Sequence, residues 1–400
     1  MTDRPPPNDA PALPNIIMGG TSLLGDLTGI GHYTRELTGA LVSQQLLGDL
    51  KLWGDVSFLD AELVSRVPQK SPAPAGASPQ RRSLRRSLRR VASRSYRAAM
   101  LYEQLSGQVA GWRLAAYSES HIYHSPNFIL PRYEGRKVMT VHDLSVIRFP
   151  EFHRKQMVEI CERGIRRAIE ERAHIIVDSD LVGRELVAHF GVNKAAITTI
   201  HLGANDNYRP RTAIECRAVL DSRGLQYQSF FLSVGTIEPR KNLLRVFDAF
   251  RAGRQEGLFD WPLVVVGGAG WKSSEEHEAL RALCRDGLAL YLNYVDDTTL
   301  QQLYSAAGAL IFASLYEGFG LPVAEALASG CPVVTSRGTA MEEFAGPRAT
   351  LVDPLDTGAL RDAMALVAQG SLTAVGPVTE PTRGWHDVAA ETAQVYAMSA

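Results

Sequence analysis

The chain reads as an α/β protein of two Rossmann-like domains whose parallel sheets face each other across a cleft. Three observations predict this. Short apolar runs of strand length alternate with helical patterns; the alternation restarts after a polar stretch, Asn205 to Gln228; and glycine-bearing loops recur where a strand hands over to a helix. Alternation of that kind favours parallel sheets covered on both faces. At 400 residues and 45% hydrophobic content the chain is long enough for two cores of ordinary size.

Taken in order, residues 1–14 are proline-rich and lack the apolar core of a signal peptide, so a disordered tail is expected. The first domain is expected over 15–205. Ile16-Ile17-Met18 is a strand, followed by a loop from Gly19 to Gly31 and a helix with Leu37 and Leu41 inward. Further strands are expected at Lys51 to Phe58, His121 to Tyr123, Lys137 to Val141, Ile175 to Val177 and Ile197 to Ile200, with helices over Arg154 to Glu171 and Leu181 to Phe190. The second domain, over 229–380, opens with a strand at Phe230 to Val234. More strands follow at Leu263 to Val266, Ala289 to Tyr294, Ala309 to Ala313, Pro332 to Thr335 and Thr350 to Val352. Two such sheets bind ligands at the carboxyl ends of their strands.

The net charge of −1 and pI near 6.8 give no overall field for nucleic acid. Cys161, Cys216, Cys284 and Cys331 form no CxxC pair and no Cys/His ligand cluster, as in a reduced cytoplasmic protein. No apolar run approaches the roughly 20 residues of a membrane-spanning helix. One local surface stands out, within an insertion at about 66–111. Arg81 to Arg97 holds eight arginines and no acidic residue. On a helix, Leu84, Leu88 and Val91 would share one face while Arg82, Arg85, Arg86, Arg89, Arg90 and Arg97 cluster opposite, a basic amphipathic pattern suited to an anionic membrane surface or an acceptor. A solvated or internally paired helix fits it too.

The strongest chemical signal is Glu317-Gly318-Phe319-Gly320-Leu321-Pro322, followed by Glu325 and Gly330. It lies between an apolar strand and a helix that Pro322 can start and Gly330 can cap. Gly318 and Gly320 allow close backbone approach, and a helix start offers N–H groups to a diphosphate. A strand-to-helix turn with a helix-dipole carboxylate is the plainer alternative. The second signal is Gly235-Thr236-Ile237-Glu238-Pro239-Arg240-Lys241-Asn242. Two adjacent cations at a helix start oppose the helix dipole and invite a bound anion. A solvated first turn is the alternative there.

These segments, with Gly267-Gly268-Ala269-Gly270-Trp271 and Thr140-Val141-His142-Asp143-Leu144, resemble the retaining glycosyltransferases of the GT-B fold, specifically glycosyltransferase family 4, in its bacterial polysaccharide mannosyltransferase-like branch. Glu317 and Glu325 match the family's E-x7-E pair. The resemblance covers most of the chain, and the tail at 384–400 looks like the family's last helix, which crosses back to the first domain. It implies a nucleotide-sugar donor, no cofactor and no metal. Lys241 and Arg240 would neutralise the donor diphosphate, Glu325 would hold the ribose diol, and Glu317 would contact the transferred sugar. His142 would face that sugar from the first domain. The N–H groups of Gly19 and Gly20 would lie near the diphosphate and acceptor, and those around Gly318, Phe319, Gly320 and Leu321 near the diphosphate. The acceptor implied is a glycan, lipid-linked, at the inner face of a membrane. One departure is Thr236, where some members carry arginine.

Other features have plainer readings. Asp178-Ser179-Asp180 is formally a DxD metal motif, but its place between strand and helix favours helix capping. His142 could be a strand-end histidine satisfied by Asp143. Gly29-x-Gly31 is half a dinucleotide fingerprint and supports no nicotinamide enzyme. Competing functions are a sugar-nucleotide epimerase of the same fold and a catalytically silent subunit that binds nucleotide sugar or lipid head groups.

Overall fold

A computed structural model describes residues 13–24, 29–54, 56–60, 96–270, 272–371 and 383–398. Arg82, Arg85, Arg86 and Arg89, and with them most of the basic segment, lie outside the described residues.

Thirteen strands are described. They are β1 Asn15–Gly19, β2 Asp49–Trp53, β3 Phe58–Leu59, β4 Ile122–Ser125, β5 Lys137–Val141, β6 His174–Val177, β7 Ile197–Thr199, β8 Phe231–Val234, β9 Leu263–Val266, β10 Ala289–Leu292, β11 Ala309–Phe312, β12 Val333–Ser336 and β13 Thr350–Val352. They form a seven-stranded sheet of order β3-β2-β1-β4-β5-β6-β7 and a six-stranded sheet of order β10-β9-β8-β11-β12-β13. All pairings are parallel except β2 with β3. Strand order reverses between β1 and β4 in one sheet and between β8 and β11 in the other, which creates the crevices where open α/β sheets bind ligands.

The near-continuous apolar runs follow from double-sided burial: Val264 and Val266 face one core, Leu263 and Val265 the other. Three differences from the sequence expectation have physical causes. The run Lys51 to Phe58 is two strands, because the chain turns back after Gly54, whose N–H donates to the Ser57 carbonyl at 2.9 Å. β4 runs on through His124 and Ser125, which hydropathy discounts, because both are buried with hydrogen-bond partners. The polar stretch 205–228 holds a helix, Ala213–Asp221, started by a reciprocal capping box of Thr212 and Glu215. Its Cys216 and Leu220 pack with Phe230 and Leu232, so this helix belongs to the second core.

The last helix, Trp385–Met398, lies against the helix Gly29–Ser43 on the first sheet. Trp385, Val388, Ala389, Val395 and Tyr396 join Tyr33, Leu37 and Leu41 in one core. One of its polar ties is fully buried. The Tyr396 hydroxyl lies 2.6 Å from Nδ1 of His124, whose Nε2 lies 2.8 Å from the Thr140 hydroxyl, which in turn meets the Tyr33 hydroxyl at 3.0 Å. Burial pushes His124 down to about 3, so it is a neutral imidazole with one donor and one acceptor.

Removing that phenol leaves a buried ring nitrogen without its partner. Tyr396→Phe should cost about 1–3 kcal/mol of stability in urea denaturation; a loss below roughly 0.5 kcal/mol would show that the bond is not formed.

Candidate active site

The turn after β8 and the turn after β11 meet at the switch point of the second sheet. After β8 the chain makes a short 3-10 turn, Pro239–Lys241, and passes through Asn242 in the left-handed region at φ 58°. The Asn242 side chain pins that geometry by donating to the carbonyls of Ala313 at 3.0 Å and Pro354 at 2.7 Å. Leu315 N–H donates to the Arg240 carbonyl at 2.9 Å. Arg240 and Lys241 therefore face the loop that carries Glu317.

Glu317, only 7% exposed, takes one cation on each oxygen. Oε2 accepts from Arg240 Nη1 at 2.8 Å, and Oε1 accepts from Lys241 Nζ at 2.6 Å. Arg240 also donates to Glu238 Oε1 and to the Tyr316 carbonyl, each at 2.8 Å. Burial opposes the Glu317 charge, but the two cations more than offset it and hold the carboxyl at about 2. For Arg240, burial is likewise outweighed by Glu317, Asp143 and Glu238, and its charge is secured. The anion that the adjacent cations call for is thus supplied first by the protein itself, which corrects the expectation that only a bound ligand would relieve them.

Beyond Glu317, Gly318 presses on the carbonyl of His142 across the cleft, leaving no room for a side chain. Gly320 is left-handed at φ 105°, and a Cβ there would come within 2.6 Å of Met341. These two glycines open the helix Leu321–Ala328. Among the described residues the N–H groups of Phe319, Gly320 and Leu321 have no protein acceptor, as a helix start leaves them. The Phe319 side chain stacks on Phe344 at 4.1 Å and joins the core of the first sheet, so only its backbone faces the crevice.

Glu325 lies one turn into that helix and in different surroundings. The Tyr304 hydroxyl donates to its Oε2 at 2.9 Å, and the Tyr208 hydroxyl also reaches it. Burial, and then the charge of Asp297, push this carboxyl up to about 7 against the two phenols. The two glutamates therefore sit in opposite electrostatic settings, one ionised at all moderate pH values and one titrating near neutrality.

On the first sheet, His142 follows β5. Its Nδ1 lies 2.7 Å from Asp178 Oδ2 and its Nε2 lies 3.1 Å from the Pro126 carbonyl. The partner is Asp178, not Asp143, whose Oδ1 accepts from Ser145 N–H at 2.9 Å. Gly19 packs against the same Pro126. The expected role of Gly20 needs correction: its N–H donates to the Trp53 carbonyl at 2.7 Å and is not free for a phosphate. The DxD side chains are engaged too. Ser179 caps the helix Asp180–Phe190 and Asp180 accepts from the Thr199 hydroxyl at 2.6 Å. Among the described residues no three His, Cys, Asp or Glu side chains gather as a metal would need.

Residues that sequence reasoning missed join the two halves. The Tyr316 hydroxyl donates to Glu185 Oε2 at 2.6 Å and accepts from Leu144 N–H at 3.0 Å. Glu343 accepts from the N–H groups of Asp180 and Leu181, at 2.7 and 3.1 Å, and pairs with His201 Nε2 at 2.7 Å. Neither tyrosine nor glutamate stands in a motif, so only their distance in space reveals them.

Two doubly wound sheets facing across a cleft, with cations, helix N–H groups and carboxylates gathered at the switch point of the second, define a transferase of the GT-B architecture. The sequence pattern described as glycosyl transferases group 1 matches residues 223–373. The chain is 33% identical over 345 residues to O-antigen chain mannosyltransferase B of Escherichia coli, covering 86% of this chain and 88% of that protein. The chain belongs to the glycosyl transferases group 1 family. Among solved structures, WaaG, a glycosyltransferase involved in lipopolysaccharide biosynthesis, superposes with a TM-score of 0.63 at 14% identity, covering 96% of this chain and 95% of that one. Anabaena Alr3699/HepE in complex with UDP and glucose gives 0.62 at 14% identity, covering 96% and 99%. At such identities these two show the shared fold.

The Glu317 cluster makes a pH-dependent contribution to stability. A carboxyl held at about 2 in the fold, against an ordinary 4.5, stabilises fully above pH 4.5 and loses that contribution as pH falls toward 2. Glu317→Gln should be destabilised by about 3 kcal/mol at pH 7, with the gap to wild type narrowing on acidification in denaturant titrations. A gap independent of pH would show that Glu317 is not the ionised partner.

Proposed function

We propose that the protein transfers a hexose, by preference mannose from GDP-mannose, from a nucleotide diphosphate sugar to a lipid-linked glycan acceptor in bacterial surface polysaccharide synthesis. The observation that carries this reading is the convergence of Lys241, Arg240 and the free N–H groups of Phe319 to Leu321 on one switch point, in a chain similar along most of its length to an O-antigen mannosyltransferase. Mannose rests on that similarity. Negative charge grows on the departing β-phosphate as the sugar C1–O bond breaks, and preorganised donors aimed at it are each worth roughly 3–4 kcal/mol. Glu317 holds both cations in place and meets the sugar as it becomes cationic. Transfer proceeds with retention by a front-face route: the acceptor oxygen bonds to C1 as the phosphate leaves, and the phosphate takes the acceptor proton. No protein nucleophile is required, and the cations occupy the role a divalent metal has in other transferases.

No helix among the described residues is long and apolar enough to cross a membrane, so a lipid-linked acceptor calls for surface attachment. The basic segment from Arg81 to Arg97 supplies it, at about 1 kcal/mol per arginine near an anionic surface.

The full chain, incubated with GDP- and UDP-linked sugars, with and without membrane lipid extract, should consume GDP-mannose only with acceptor and should keep turning over in EDTA. Consumption without acceptor identifies an epimerase, none at all a silent binder, and EDTA loss restored by manganese overturns metal independence. In flotation, wild type should bind anionic vesicles and a chain with Arg82, Arg85, Arg86 and Arg89 changed to Glu should not.

Steady-state kinetics separates the glutamates. Glu317→Gln should lower kcat about 100-fold, whereas Glu325→Gln should mainly raise donor KM. Because the Glu325 carboxyl titrates near 7, donor KM in wild type should fall as pH rises through 7, and that dependence should vanish in Glu325→Gln. Lys241→Ala should impair both parameters. Wild-type kcat in folded Glu317→Gln would refute the assignment.

A further inference from the structure

Both ring nitrogens of His142 face oxygens: Asp178 Oδ2 at 2.7 Å from Nδ1 and the Pro126 carbonyl at 3.1 Å from Nε2. A carbonyl only accepts, so Nε2 must carry a proton. The contact at Nδ1 needs a second proton between ring and carboxylate. In water an imidazole is the stronger base by about 2.5 pKa units. Burial narrows that gap by pushing the Asp178 carboxyl up, but the charge and hydrogen bond of Asp178 still hold the imidazole above its ordinary value, which keeps that proton on Nδ1. We propose that Asp178 is a positioning residue that keeps His142 a fixed, doubly protonated cation, so that His142 is a charged wall of the cleft and cannot act as a general base.

The surroundings supply no competing charge on the ring. Tyr33, from the helix Gly29–Ser43, meets His142 edge-on at 4.5 Å with its hydroxyl turned to Thr140. His124 on β4 is neutral and committed to Tyr396 and Thr140. Asp143, next in sequence, adds a second negative charge, with Arg240 near it, and His201 lies toward Asp178. From the second sheet the backbone of Gly318 lies against the His142 carbonyl. Burial alone would strip the proton from His142; Asp178, through charge and hydrogen bond, reverses that and leaves the imidazole above its ordinary 6.5. Asp178 is itself 2% exposed, and its Oδ1 has no protein partner among the described residues, so His142 is its principal counter-charge. A ring fixed at both nitrogens also fixes the strand end on which Gly318 rests.

The protonation state stands independently of the proposed function; only its kinetic consequence rests on that reading. The whole protein labelled with 15N-histidine, without substrate, is titrated by long-range 1H–15N correlation, with His142→Gln assigning the signal. At pH 7.5 both ring nitrogens of His142 should show protonated shifts, and titration should begin only above the range of ordinary histidine. In Asp178→Asn the ring should be neutral at the same pH. An unprotonated Nδ1 in wild type at pH 7.5 overturns the proposal, and because this readout uses wild type, misfolding of Asp178→Asn does not leave it undecided. In transfer assays Asp178→Asn should lower kcat on the order of tenfold or more with donor KM little changed. A wild-type kcat that falls on acidification through about 6.5, the signature of a histidine base, overturns it too. Absence of any sugar transfer would sink the proposed function while the titration still decides the state of His142.

Discussion

The contact on which the site depends is the carboxylate of Glu317 held between Arg240 and Lys241. Two cations side by side at the start of a helix repel each other and the helix dipole, and they stay together because a largely buried carboxylate from the neighbouring loop takes one on each oxygen. The three residues come from the turns after β8 and β11, adjacent strands on either side of the switch point. The same pairing thus sets the shape of the crevice and its charge. A buried ion pair of this kind adds little net stability compared with an apolar packing. What it provides is two cations held in fixed positions at the crevice.

The second constraint is the closeness of the two sheets. Gly318 rests on the carbonyl of His142, Tyr316 bridges Glu185 and the Leu144 N–H, and Glu343 sits on the start of the helix Asp180–Phe190 beside His201. The last helix completes the arrangement from behind, carrying Tyr396 into the polar chain of His124, Thr140 and Tyr33 beneath the first sheet's crevice. Buried polar chains with every member satisfied specify one packing closely, because any displacement leaves a group unpaired. The first sheet's side of the cleft is therefore built to hold still.

The two glutamates show how one motif yields two environments. Both belong to the same strand-to-helix segment, eight positions apart, yet Glu317 meets cations and Glu325 meets phenols. Their carboxyls accordingly diverge to about 2 and about 7. Such a split assigns a constant charge to one position and a titratable one to the other.

The sequence by itself determined the class of the fold and most of the strands, because double-sided burial writes itself as short apolar runs such as Leu263–Val266. It also singled out the two strand-to-helix turns that the structure brings together at Glu317, Arg240 and Lys241, since glycines, a proline and charged residues at such turns report on local backbone needs. Spacing along the chain carries no information on distant partners. Hence the segment Asp178-Ser179-Asp180 read as a helix cap, which Ser179 supplies, while the hold of Asp178 on His142 went unseen. Gly20 read as a free N–H donor although Trp53 takes it, and the cations of Arg240 and Lys241 read as awaiting a ligand although Glu317 meets them first. Tyr316, Glu185 and Glu343 left no local signal, because each meets across the cleft a partner more than 100 residues away. Hydrogen bonds and charge pairs depend on angstrom-scale distance between elements, and only packing of the two sheets decides that.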